Sequence, residues 1–176
     1  MKHIGTLFLV LSLAAAPSLA AQTHTADEDD SVPAMAHREL DGPRVGLVVI
    51  SGAAALERLH EHDLNQVMTV FGWHFEQMTR PSRNGPSLVT EEVLMIAGAD
   101  QGVFIPSATL LFGLRTPGGF EVGMGPNVSP FGGAMAFGIG KSLNYGGVRI
   151  PLNLALVQSK GATRVTFVAG YAIRRH

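Results

Sequence analysis

The stretch that most constrains this chain is residues 119–142, GFEVGMGPNVSPFGGAMAFGIGKS, where bulky apolar side chains alternate with glycine or alanine. A period of two is the signature of a β-strand with two different faces. Phe120, Val122 and Met124 oppose Glu121, Gly123 and Gly125, and Met135, Phe137 and Ile139 oppose Ala134, Ala136, Gly138 and Gly140. The same rhythm runs through 67–79 (Val67, Phe71, Trp73, Phe75), through 147–157 (Val148 to Leu156) and through 163–174 (Val165, Phe167, Tyr171, Ile173). Runs 44–50, 87–98 and 103–115 are strand-like with a less regular alternation. The joints RPSRNGP, ADQG, TPGG, LNYGG and QSKGA are turn sequences. One longer connection, 51–66, holds a short helical candidate, AAALERLHEH, with Leu56 and Leu59 on one side. The expectation is an all-β chain: an antiparallel meander of about eight strands closing into a small barrel, with one short helix after the first strand.

The residues before this region are of another kind. MKHIGTLFLVLSLAAAPSLA has a lysine near its start, an apolar core from Ile4 to Ala16 and a small-x-small end, the layout of a secretory signal peptide cleaved after Ala20. Residues 21–43 are acidic and aperiodic and read as a disordered leader, leaving 44–176 as the barrel domain. The chain has no cysteine, so neither a disulfide nor a lipidated cysteine is available to it. Charge is uneven. Residues 21–100 carry five arginines against thirteen carboxylates, and 101–176 carry seven lysines or arginines against Glu121 alone. Export and the absence of a basic stripe interleaved with aromatics argue against nucleic acid as a partner.

One face of these strands is large and apolar, and the other is glycine, alanine and a few charges. In a soluble barrel lined by the bulky face, the glycine face would be the exterior, where glycine weakens strands without gain. Turned outward against hydrocarbon, the bulky face leaves the small one lining an eight-stranded lumen only just wide enough to be filled by side chains. Strands of nine to eleven residues also suit a tilted crossing. In this pattern the chain resembles the small outer-membrane β-barrels of Gram-negative bacteria over roughly 44–175. Its last hairpin, GVRIPLNLALVQSKGATRVTFVAGY, resembles a closing hairpin of uncharacterised exported bacterial proteins. The resemblance implies an outer-membrane location, contact with outer-membrane lipid and a structural or binding role. A soluble periplasmic barrel holding a lipid or other apolar ligand is the alternative. Four features depart from the pattern. Glu91 and Glu92 are adjacent in mid-strand, Pro106 and Pro151 lie inside strands, no loop is long, and the sequence finishes Arg174-Arg175-His176 where such barrels finish on an aromatic residue.

Candidate sites follow from the inward face. Glu76 and Glu121 are expected to meet Arg149 and Arg164 there, with Asn153, as an interior polar network. His74 and Glu76, with Ser107 or Thr109 nearby, contain the residue types of a Ser/His/acid hydrolase, the basis for a lipid-modifying enzyme as a third reading. A buried polar network needs the same residues without chemistry. GIGKS at 138–142 fails as a phosphate loop: the first glycine of that motif falls at Met135, and the strand alternation runs through it, so no nucleotide is expected. His60 and His62, two apart, point away from each other on a helix, and His24 would bind copper or nickel only from position three of a terminus created by cleavage after Ala21. No motif requires a cofactor. Phe71, Trp73, Phe75 and Tyr171 suit either a membrane-interface girdle or ordinary sheet packing.

Overall fold

The computed structural model describes residues 36–81, 85–145 and 148–174. Nine strands follow in order: β1 (Ala36–Ser51), β2 (Val67–Arg80), β3 (Ser87–Ala97), β4 (Ile105–Arg115), β5 (Phe120–Ser129), β6 (Gly132–Tyr145), β7 (Val148–Ser159), β8 (Ala162–Gly170) and the two-residue β9 (Ile173–Arg174). From β1 to β8 each pairs antiparallel with the next, and β1 pairs with both β2 and β8, so the sheet closes. β9 continues the line of β8 along β1 after a break at Tyr171 and Ala172, giving eight staves. Eight strands therefore form one barrel, with the helix α1 (Ala53–Glu61) directly after the first of them. The connections at its end of the barrel also include a 3-10 turn at Ala99–Gln101. The opposite end, where β2–β3, β4–β5 and β6–β7 are joined, is the turn end.

The first strand begins earlier than its sequence suggests. Residues 36–43 extend β1 against the lower part of β2, from Ala36 opposite Arg80 to Pro43 opposite Trp73. Asp41-Gly42-Pro43 is thus strand, not turn. Its neighbour on the other side lapses at Tyr171 and Ala172, so the missing N–H of Pro43 falls where that ladder is broken. Pro106 pairs with β3 beyond the last partner on β5, and Pro151 pairs with β6 just before the β8 ladder starts. Each proline occupies a position where one ladder has ended. Residues 1–35, which hold the expected signal peptide, most of the expected leader and His24, lie outside the described residues.

The alternation is resolved in one direction around the whole barrel. Phe120, Phe137, Leu154 and Phe167 are 42–50% exposed on the outside, while Glu76, Glu91, Arg115 and Glu121 are buried inside. Of the adjacent pair, Glu91 points in and Glu92 out. Glu92 lies beside Phe75, Thr90 and Asp41 toward the turn end, below the apolar band of β1–β3. Phe71, Trp73 and Tyr171 are exposed on the outer surface, and Phe75 is half-buried there.

The helix end of the barrel carries an apolar cluster. Ala55 and Leu59, one turn apart on α1, bury against Val48, Ile50 and Met68, with Leu56 at the edge. Met68 is fully buried. Among the described residues no helix is long and apolar enough to cross a membrane.

Candidate functional site

The lower lumen holds an ion network built from five strands, β1 to β5. Arg115, at the end of β4, stands opposite Glu121 on β5 and reaches across β3 to Glu76 on β2. Its two terminal nitrogens donate to the two carboxylate oxygens of Glu76 (Nη2 to Oε2 at 2.7 Å), a forked pair. Its Nε donates to Glu121 Oε2 at 2.6 Å, and Nη2 reaches the same oxygen. All three side chains are buried. This arrangement answers a local conflict: Glu76 and Glu91 are direct cross-strand partners facing the same interior, and like charges so placed repel.

A second arginine deals with the other half. Arg44 lies opposite Gly72 on β2 and Gly170 on β8, and a Cβ on Gly170 would crowd its side chain, 3.0 Å from Cδ. Its guanidinium donates to the carbonyls of Pro43 and Tyr171, each at 3.1 Å, and to His74 Nδ1 at 2.8 Å. Arginine has no acceptor, so Nδ1 is the acceptor and the ring proton sits on Nε2. Nε2 in turn faces Glu91 Oε2 at 3.4 Å.

These contacts decide what the cluster can do. His74, Glu76 and Glu91 are the one group among the described residues with metal-ligand spacing. The donor set does not fit a cation. Both oxygens of Glu76 are taken by Arg115, Nε2 of His74 carries a proton, and two guanidiniums lie against the site. Nor does it form a hydrolytic triad, in which the base donates Nδ1–H to an acid and receives the nucleophile's proton on Nε2. Here Nδ1 accepts from Arg44, and Thr109 Oγ1 accepts from Asn127 at 2.7 Å instead of meeting the histidine. Ser107 and Thr109 line the upper lumen.

The remaining sequence candidates are placed as follows. The guanidinium that meets Glu76 and Glu121 is that of Arg115, which the sequence reading had not selected. Arg164 sits higher on β8 and donates to Asn127 Oδ1. Arg149 lies low on β7, and Asn153 lines the lumen with its Oδ1 buried. His60 and His62 are exposed at the end of α1, where His62 Nδ1–H donates to the Arg58 carbonyl at 2.9 Å. GIGKS is part of β6, and Lys141 donates to the Gly118 carbonyl at 2.7 Å.

Above the ion network the lumen is open. About 1020 Å³ of space not occupied by atoms, part of it continuous with solvent, lies between Arg44, His74 and Glu91 below and Ile50, Ile105 and Arg164 above. Glycine has two different roles around it. A Cβ on Gly46 would stand 1.8 Å from the Phe167 carbonyl oxygen, so the curvature of the β1–β8 seam requires glycine there. On Gly138 the nearest atom to a Cβ would be Leu111 Cδ1 at 3.4 Å, an ordinary contact, and Gly123 has similar room. These two leave space that packing does not require them to leave.

In comparisons with known proteins, no family model and no curated sequence matches the chain. Solved structures do. Ail, the attachment invasion locus protein of Yersinia pestis, aligns with a TM-score of 0.52 at 12% identity, covering 79% of this chain and 97% of Ail. The fold is that of a small Gram-negative outer-membrane β-barrel. A second crystal structure of Ail, in complex with the heparin analogue sucrose octasulfate, aligns at a TM-score of 0.45 and 12% identity, over 78% of this chain and 99% of that one. At this identity the likeness is one of fold.

Proposed function

We propose that the chain is exported and inserted in the outer membrane of a Gram-negative cell, in contact with its lipid, where it has a structural or binding role. The observation that carries this reading is the ring of apolar side chains turned outward on every stave while the ion network is enclosed within. Charges sealed inside and hydrocarbon-like side chains outside fit a barrel whose solvent is lipid. The signal-like residues 1–20 supply the route. A soluble periplasmic barrel of the opposite sense would need Phe120, Phe137, Leu154 and Phe167 to meet one another in its core, and they lie on the outer surface.

Cell fractionation tests it. The chain should remain with the outer membrane until extracted by detergent, and migrate faster unheated than boiled on a gel. Leu154→Arg, near the middle of β7, should cost about 2–4 kcal/mol of folded-state stability in lipid and deplete the fast-migrating band. Release in a detergent-free periplasmic extract, with Leu154→Arg as stable as the parent, would exclude the membrane reading.

A further inference from the structure

Arg164 is buried in the upper lumen, at 9% exposure, and it donates to a neutral partner, the side-chain oxygen of Asn127. Among the described residues no carboxylate pairs with it, unlike Arg115 with its two. A buried guanidinium without a counter-charge is expensive unless something supplies one. It lines the open space described above, and the hydroxyls of Ser107, Thr109 and Thr166 line the same space. Val48, Val70, Met95, Leu111, Val157 and Val168 supply an apolar stretch of that wall, above the Arg44, His74 and Glu91 side chains that line its lower part. Gly123 and Gly138 keep the opposite wall thin where a methyl group would fit.

We propose that the lumen is a binding site for a single-chain amphiphile with a monoanionic, carboxylate-type head, the head on Arg164 and the tail along the apolar wall. Arg164 gives the forked donor geometry that suits a carboxylate. Asn127 holds that guanidinium in place: its amide nitrogen donates to the Ala108 carbonyl at 3.2 Å and to Thr109 Oγ1 at 2.7 Å, which leaves Oδ1 to accept from Arg164. The tail replaces unfilled space by contact with aliphatic side chains. A free fatty acid and a lipid-derived acyl acid share this chemistry. The site lies inside the barrel and does not depend on the membrane reading.

The test uses the full chain refolded in a non-ionic detergent, with dodecanoate as probe, dodecanol as the same tail without charge, and acetate as the same head without tail. Native mass spectrometry should show one dodecanoate retained per barrel, with dodecanol and acetate each bound at least tenfold more weakly. Arg164→Gln should weaken dodecanoate at least tenfold. Gly138→Leu, which fills the space without touching the head site, should do the same while keeping heat-modifiable migration. If Arg164→Gln does not give the folded band, Gly138→Leu together with the dodecanol arm decides the matter. Equal retention of dodecanol would overturn the anionic head. Equal retention of acetate would overturn the tail, and unchanged dodecanoate binding in a folded Gly138→Leu barrel would overturn the site. Failure of fractionation to find the chain in the outer membrane would leave this result standing, and the reverse holds too.

Discussion

Arg115→Met removes the cation from the lower lumen while keeping much of its bulk. It strands Glu76 and Glu121, both buried, after taking away a forked pair and the contacts to Glu121 Oε2. Breaking one buried pair by deleting a partner costs about 3–5 kcal/mol, which sets the lower bound. The upper bound comes from the escape open to a stranded carboxylate, which is to take up a proton. Above an ordinary carboxyl value near 4.3 this costs about 1.36 kcal/mol per pH unit, hence roughly 4 kcal/mol for each group at pH 7.4 and about 8 for two. At pH 5 the same escape costs only about 1 kcal/mol each, so the deficit should shrink to roughly 2 kcal/mol. The measurement is denaturant unfolding of the detergent-refolded barrel, followed by the emission of Trp73, the chain's single tryptophan, which looks outward into the apolar phase. Adding Glu76→Gln and Glu121→Gln to Arg115→Met should restore most of the loss, because two neutral amides no longer need a counter-charge. A loss under about 1 kcal/mol at pH 7.4, or one of equal size at pH 5, would refute the network as described.

Two further outcomes are expected. Gly46→Ala places a methyl 1.8 Å from the Phe167 carbonyl and should block closure of β1 on β8, whereas Gly138→Ala should fold as the parent does; heat-modifiable migration of the two variants compares them directly. Asp100 accepts hydrogen bonds from the Thr69 N–H at 2.9 Å and the Thr69 hydroxyl at 2.6 Å, and the hydroxyl contact foremost holds its carboxyl below the ordinary aspartate value. A lowered folded value means the contact stabilises the fold above the unfolded pKa near 3.9, and that contribution is lost as pH falls through the folded one. Asp100→Asn should therefore flatten the acid limb of the stability curve, and an NMR titration of the parent should place the Asp100 midpoint below that of an exposed aspartate.

The staves were legible where the two faces differ most. In β5 and β6 the bulky and small residues alternate regularly and in β7 and β8 nearly so, and those strands appear within a few residues of their sequence limits. The first strand was legible only in its upper half. Val45, Leu47 and Val49 announce the outward apolar side, but below Pro43 the outward positions are Asp41 and Glu39, beyond the apolar band, and the composition there is that of a leader. What makes this segment strand is its long register with β2, a non-local pairing without a local signal. The run 103–115 was blurred for another reason. Ile105 and Leu111 line the lumen while Phe112 and Leu114 face outward, so both faces are apolar where the cavity lies.

The same blurring hid the central cation. Parity through Gly113 places Arg115 on the inward side, as parity through Gly46 and Val48 places Arg44, and both signals are present in the sequence once the faces are assigned. Parity gives the face but not the height, and partners in a barrel are chosen by height. Glu121 meets Arg115 because a tight turn puts them side by side, and Glu76 joins them across β3 because shear brings β2 to the same level. Arg164, of the right sign and on the right face, is several residues nearer the helix end on β8 and cannot reach them. That separation in height keeps the neutralised floor of the lumen distinct from the uncompensated charge above it. An arginine left over from the network in this way, beside open apolar space, reads as one half of an interaction whose other half arrives from outside the chain.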